Sequence, residues 1–179
     1  TRFLAAGAID FSRSQWNPQT VVQNCSFQSK RLLFQHLCAE GDEFLFQRNR
    51  IDAEQIRFEG SRFLVKRASW SRSIFRAETV DFCGCLFENL QTSFQATEWL
   101  GQIGTFLRSQ FDSNRVSFQR ARFELDQLTL DSVNWGSGLV SFWRCIPNRT
   151  RLSFHDAEDR GATIRFGCDL SNTVFDGVR

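Results

Sequence analysis

A large apolar residue, in most cases Phe, recurs every twelve residues through most of this chain. The series runs Phe34, Phe46, Phe58, Trp70, Phe82, Phe94, Phe106, Phe118, Leu130, Phe142, Phe154 and Phe166. Each member sits in one pattern, seen cleanly at Val116, Phe118, Ala121 and Phe123: apolar, gap, Phe, two residues, small, gap, large apolar. A period of this length constrains the fold more than any single residue does. One unit is too short to bury its own apolar side chains and must stack on its neighbours. The twelve residues of the series are therefore expected to form the core.

The spacing excludes a helical array, because apolar residues at offsets 0, 2, 5, 7 and 12 do not sustain a 3.6-residue period. Offsets 0 and 2 point the same way in a short extended segment, and offsets 5 and 7 form a second one. Two short sides joined by a tight corner and then a wider one describe a solenoid. Proline occurs only at Pro18 and Pro147, which suits a backbone whose N–H groups are used in ladders. The register runs from about Ile9 to Phe175. It is irregular after Trp16, where the next unit follows by eleven residues, and again near Cys168.

The segment from Cys168 to Gly177 resembles two consecutive pentapeptide repeats, and Val80–Phe87 and Val116–Phe123 resemble the Phe-rich branch of that family. The resemblance implies an all-β fold, a right-handed parallel β-helix (a quadrilateral β-solenoid) with four five-residue sides per coil. Here two extra residues follow every second side, so the register is 5, 7, 5, 7. That gives about 24 residues per coil and roughly 7 coils for a single domain over 1–179. At about 4.8 Å between strands the rod would be roughly 35 Å long.

Stacking every 24 residues predicts coherent ladders. One is Ser69, Ser93, Ser117, Ser141; another is Arg57, Asp81, Thr105, Thr129, Ser153, with an opposite-charge neighbour pair at its start. Glu98 should face Arg122 on the next coil, with Ile74 and Ile146 on the same line. Turn residues mark one set of wide corners, such as Glu40-Gly-Asp-Glu43 and Gly136-Ser-Gly-Leu139, and are missing from the other, such as Asp52-Ala-Glu-Gln55 and Glu124-Leu-Asp-Gln127.

Little in the chain points to chemistry. The net charge is +2, with 22 basic and 20 acidic residues interleaved, so there is no basic block of the kind that binds nucleic acid and no acidic tail. No apolar run approaches the 18 residues of a membrane span. The six cysteines lack metal-ligand spacing. Cys25, Cys85 and Cys145 fall on the small position of the repeat, and this usage suggests a reducing, cytoplasmic setting. His36 and His155 occupy corners. His155 has Asp156 and Asp159 nearby, but no Ser or Cys completes a triad. The carboxylate trios Glu40, Asp42, Glu43 and Asp156, Glu158, Asp159 do not recur one coil away, which argues against a paired-carboxylate groove.

The expectation is a non-enzymatic protein-interaction or scaffold module with no catalytic residue, cofactor or metal, and a protein partner rather than nucleic acid or membrane. Outward Leu33, Leu45, Ile74, Leu86 and Ile146 are the candidate docking residues. The lack of Met and of evident caps suggests part of a longer chain or end-to-end association of copies. Two alternatives stand behind this reading. The resemblance implies a DNA-mimicking, topoisomerase-binding protein, which a net charge of +2 disfavours. A β-helix carbohydrate-active enzyme is the other.

Overall fold

A computed structural model describes residues 1–178. The chain winds as a parallel β-solenoid of about seven coils. Every strand pairing among the described residues is parallel, and through the middle of the rod partners lie 24 residues apart, as in Phe63↔Phe87, Phe87↔Phe111 and Phe75↔Trp99. Each coil supplies two short segments to an 8-stranded sheet and two to a 13-stranded sheet.

Both irregular ends have a geometric explanation. In the first coil Arg2 pairs with Ser26 at an offset of 24, Ala8 with Arg31 and Gln15 with Cys38 at 23, and Gln19 with Glu43 at 24 again. One extra residue before Ala8 is thus offset by one fewer at the corner after Trp16. In the last coil Leu152 pairs with Thr173, an offset of 21, so the corner after Gly167 is three residues shorter.

Aromatic columns fill the interior. Phe34, Phe58, Phe82 and Phe106 stack with centroids 4.5, 4.6 and 5.0 Å apart. Trp70, Phe94, Phe118, Phe142 and Phe166 form the second column at 4.8, 5.1, 4.8 and 5.5 Å. The two meet edge to face on the axis, as in Phe58 against Trp70 at 90° and Phe106 against Phe118 at 87°. Both arrangements suit the ring quadrupole. Of the twelve residues in the series, all from Phe34 through Phe154 are buried, and only Phe166, in the last coil, is half-buried.

At the tight corners the small residue does more than save space. Ser61 Oγ donates to the Phe34 carbonyl at 2.6 Å and accepts the Leu37 N–H at 3.1 Å. Ser109 makes the same pair of bonds, to the Phe82 carbonyl and from the Cys85 N–H, at 2.6 and 3.2 Å. Ser73 repeats it against Phe46 and Asn49. The thiols of Cys85 and Cys145 donate to the carbonyls of Phe58 and Phe118. Each of these small residues therefore ties its coil to the preceding one, adding a partner to backbone groups of the buried corner. The residue before it is left-handed at every corner, with φ of 66° at Gly60, 59° at Arg72, 61° at Gly84 and 57° at Arg120.

The wide corners differ from the sequence expectation. Turn residues mark the wide corner at Glu40–Glu43, yet the strands Cys38–Gln47, Arg62–Ser69, Leu86–Ser93 and Gln110–Ser117 run straight through that corner, whereas at Gly136–Leu139 the chain leaves the strand until Leu139. Ladder pairing continues around the bend, as at Leu64↔Glu40, Val65↔Gly41 and Arg67↔Glu43. Gly41 takes φ of 124° at this corner. On the other sheet the strands stop and restart at Asp52–Gln55 and Glu124–Gln127, which lack turn residues, while Ile74–Asp81 and Glu98–Thr105 run through the same corner. Continuing interstrand hydrogen bonds, rather than local turn propensity, decide the path.

Candidate interaction surfaces

The ladders place the five candidate docking residues apart. Ile74 and Ile146 share the line Ile74↔Glu98↔Arg122↔Ile146, three coils apart, with the charged pair between them. Leu86 lies in the ladder Arg62↔Leu86↔Gln110, Leu45 beside Ser69, and Leu33 beside Arg57. They sit on different sides of the rod and do not form one patch. Ile146 alone is widely exposed, at 55%. Glu98 and Arg122 are cross-strand partners as expected. Arg57 and Asp81 are partners too, but they make no ion pair: the Asp81 carboxylate accepts the Cys83 N–H at 2.7 Å instead.

The polar clusters resolve into local pairings. In the first carboxylate trio, Asp42 pairs with Lys66 at 2.8 Å and Glu43 with Arg67 at 3.7 Å, both on the next coil. In the second, Asp159 caps the Gly161 N–H at 2.7 Å and Glu158 lies 4.0 Å from Arg160. The His155 ring lies between two carboxylates, Nε2 at 3.1 Å from Asp156 and Nδ1 at 3.4 Å from Asp176. Its backbone N–H is held by Asp131 at 2.8 Å. The ring is exposed, and among the described residues no hydroxyl or thiol nucleophile is hydrogen-bonded to it. The His36 ring packs over Gly60 on the next coil.

The six cysteines are all free. Burial pushes the Cys83 and Cys145 thiols up to about 12 and raises Cys85 well above the ordinary thiol range. Such thiols stay protonated and act as packing and weak donors. Among the described residues no group of three acidic, His or Cys side chains could hold a metal ion, and no helix is long and apolar enough to cross a membrane.

A groove follows the wide corner of the 13-stranded sheet across five coils, with a volume of about 590 Å³. Its floor is a column of small residues, Ser29, Ala53, Ala77 and Gly101. Gln28, Asp52, Arg76 and Leu100 form one bank, and Lys30, Glu54, Glu78 and Gln102 the other. The register that sets these columns is Gln28↔Asp52, Asp52↔Arg76, Arg76↔Leu100 and Ala77↔Gly101. Beyond Gly101 the floor position is Leu125, which is buried. Its side chain turns inward against Gly104, where other coils carry Val80 or Leu128 on the inner face. The groove is legible only once the coils are stacked, since its floor residues are 24 apart and unremarkable singly. A second apolar hollow, about 220 Å³, lies at the first coil, where Phe3, Phe11, Trp16 and Val22 are only half-buried. Set against known proteins, the chain matches no family, no curated protein and no solved structure.

Proposed function

We propose that this chain is a non-enzymatic protein-interaction or scaffold module, a rigid rod of the pentapeptide-repeat kind that works in the cytoplasm. The observation that carries this reading is the five-coil groove. It is long, open and shallow, with mixed charge on both banks and a floor of small side chains. Such a shape suits an extended segment of a partner protein lying along the rod, with small residues allowing close approach and the banks selecting its charges. Sites for small substrates are instead concave and converge on a few polar groups. The stacked core holds the banks in fixed register, so docking costs little conformational entropy.

The test fills the groove. Ala53→Trp places a large side chain on the half-buried floor, and Leu90→Asp alters an exposed residue on the other sheet as a control. Partners captured by the wild type and by Leu90→Asp, and lost with Ala53→Trp, support the reading. Equal capture by all three refutes it, as does turnover of any substrate that depends on His155 or Asp156.

A further inference from the structure

Four arginines stand in one column along a single tight corner of the rod. Arg48, Arg72, Arg120 and Arg144 are spaced by multiples of 24, with Ala96 in the gap. The corner hydrogen bonds confirm the stacking: the Arg72 N–H donates to the Gln95 carbonyl, Arg120 to Trp143 and Arg144 to Gly167. All four side chains are exposed, and none makes an ion pair among the described residues. At about 4.8 Å per coil the column is roughly 19 Å long. The other tight-corner column, by contrast, is mixed: Arg13, His36, Gly60, Gly84, Arg108, Ser132 and Asp156.

These arginines occupy strained backbone. Their φ values are 53°, 59°, 57° and 57°, a region where Gly or Asn costs about 1–2 kcal/mol less. Local structure therefore gives no reason for arginine there.

The sheet side beside the column is flat and neutral at its centre. Ser69, Ser93, Ser117 and Ser141 form its middle ladder, buried beneath the neighbouring side chains. Gln47, Gln95 and Gln119 lie between that ladder and the arginines, and Gln47 and Gln119 donate to serine hydroxyls of the next coil. Lys66, Arg67 and Arg115 stand at the far edge, with Arg165 in the last coil. Among the described residues the acids on this side are Asp42 and Glu43, already paired with Lys66 and Arg67. Eight basic less two acidic residues leave this side at +6, while the whole chain is +2.

An aromatic ring completes the surface. Trp143 is 51% exposed, lies across Gly167 and has the Arg144 guanidinium 5.9 Å from its ring centroid.

We propose that this side of the rod binds single-stranded nucleic acid, with phosphates along the arginine column, a base stacked on Trp143, and sugar and base edges over the Gln side chains. One line of positive charge beside a flat polar strip tracks one backbone, and an exposed ring can take a base only from an unpaired strand. The sequence expectation of no nucleic acid rested on the lack of a contiguous basic block. Here the block is assembled by stacking. This surface is separate from the groove of the proposed function, so either can fail alone.

The test is fluorescence anisotropy with labelled 20-mers of dT and U, titrated against salt, with a duplex of equal length and heparin as competitors. Arg120→Gln with Arg144→Gln should weaken binding at least tenfold and flatten the log–log salt slope by about 1.4, two phosphates at about 0.7 each. Trp143→Ala, an independent variant, should weaken it about tenfold, within the range expected for one lost stacking contact. Arg13→Gln with Arg108→Gln makes the same charge change on the other corner and should stay within twofold of wild type, as should Ala53→Trp. Circular dichroism melts confirm that each variant is folded. No binding of either oligonucleotide at micromolar protein overturns the proposal. So does an equal loss in the Arg13/Arg108 control, or stronger competition by duplex or heparin than by the unlabelled single strand.

Discussion

The carbonyl oxygen of Ala77 occupies the space that a β-carbon on Gly101 would need. The two residues are ladder partners at the floor of the groove, and Gly101 has φ of 156°. The carbonyl belongs to backbone, so it cannot swing away as a side chain could. Gly101→Ala should therefore destabilise the rod by more than about 2 kcal/mol, through overlap and a broken ladder. Gly84→Ala is the comparison: its φ is 61°, but nothing lies within 4 Å of the added carbon. It should cost about 1–2 kcal/mol, from the left-handed backbone alone. Urea midpoints of the two variants check the order; equal losses would mean the close approach is unimportant.

Removing a corner hydroxyl tests the ties between coils. Ser61→Ala removes the bonds to the Phe34 carbonyl and from the Leu37 N–H in a buried corner, leaving those two groups only their own 3.2 Å contact with each other. The expected loss is about 1–3 kcal/mol with an unchanged urea slope. Ser61→Cys should recover part of it, because Cys85 and Cys145 already make the carbonyl bond at the equivalent corner position.

Arginine at the left-handed corners is a stability reserve. Arg72→Gly should raise stability slightly, by up to about 1 kcal/mol, since it relieves φ of 59° but also frees the unfolded chain. Thermal melts measure the gain. A loss would show that the Arg72 side chain packs favourably where no ion pair is made.

The centre of the stack should be the least tolerant position. Phe82 is fully buried, stacked on Phe58 and Phe106 and edge-on to Phe94. Phe82→Ala should cost about 3–5 kcal/mol. Phe82→Leu should cost much less, as Leu130 fills an equivalent site. Because coils support one another in sequence, amide exchange should accelerate in the neighbouring coils first.

Alkaline pH should loosen the rod. The folded thiols of Cys83 and Cys145 titrate near 12 because burial disfavours the thiolate, whereas an unfolded thiol titrates near about 8.5. The folded state holds more protons between those values, so the contribution is fully present below about 8.5 and declines as pH rises toward 12. Urea midpoints should be level from pH 7 to 8 and fall by pH 10. Cys83→Ala together with Cys145→Ala should flatten that fall.

The twelve-residue series was legible because burial selects large apolar side chains wherever the path points inward, whatever the rest of the coil does. The same period makes Glu98 and Arg122 ladder partners. Other features depended on atoms that sequence spacing does not specify. Left-handed corners went unseen because Arg, Ala and Ser, not Gly, occupy most of them. Glu40-Gly-Asp-Glu43 read as a turn because turn propensity is local, while the ladder running through it is not. Arg57 and Asp81 met without pairing, since a backbone N–H two residues on was the nearer partner. What the sequence by itself determined, then, was the content of the core and the length of the coil, because periodic burial writes both into the order of residues. Only the tertiary structure decided the small-residue groove and the arginine column, because residues 24 apart become neighbours through hydrogen bonds between coils.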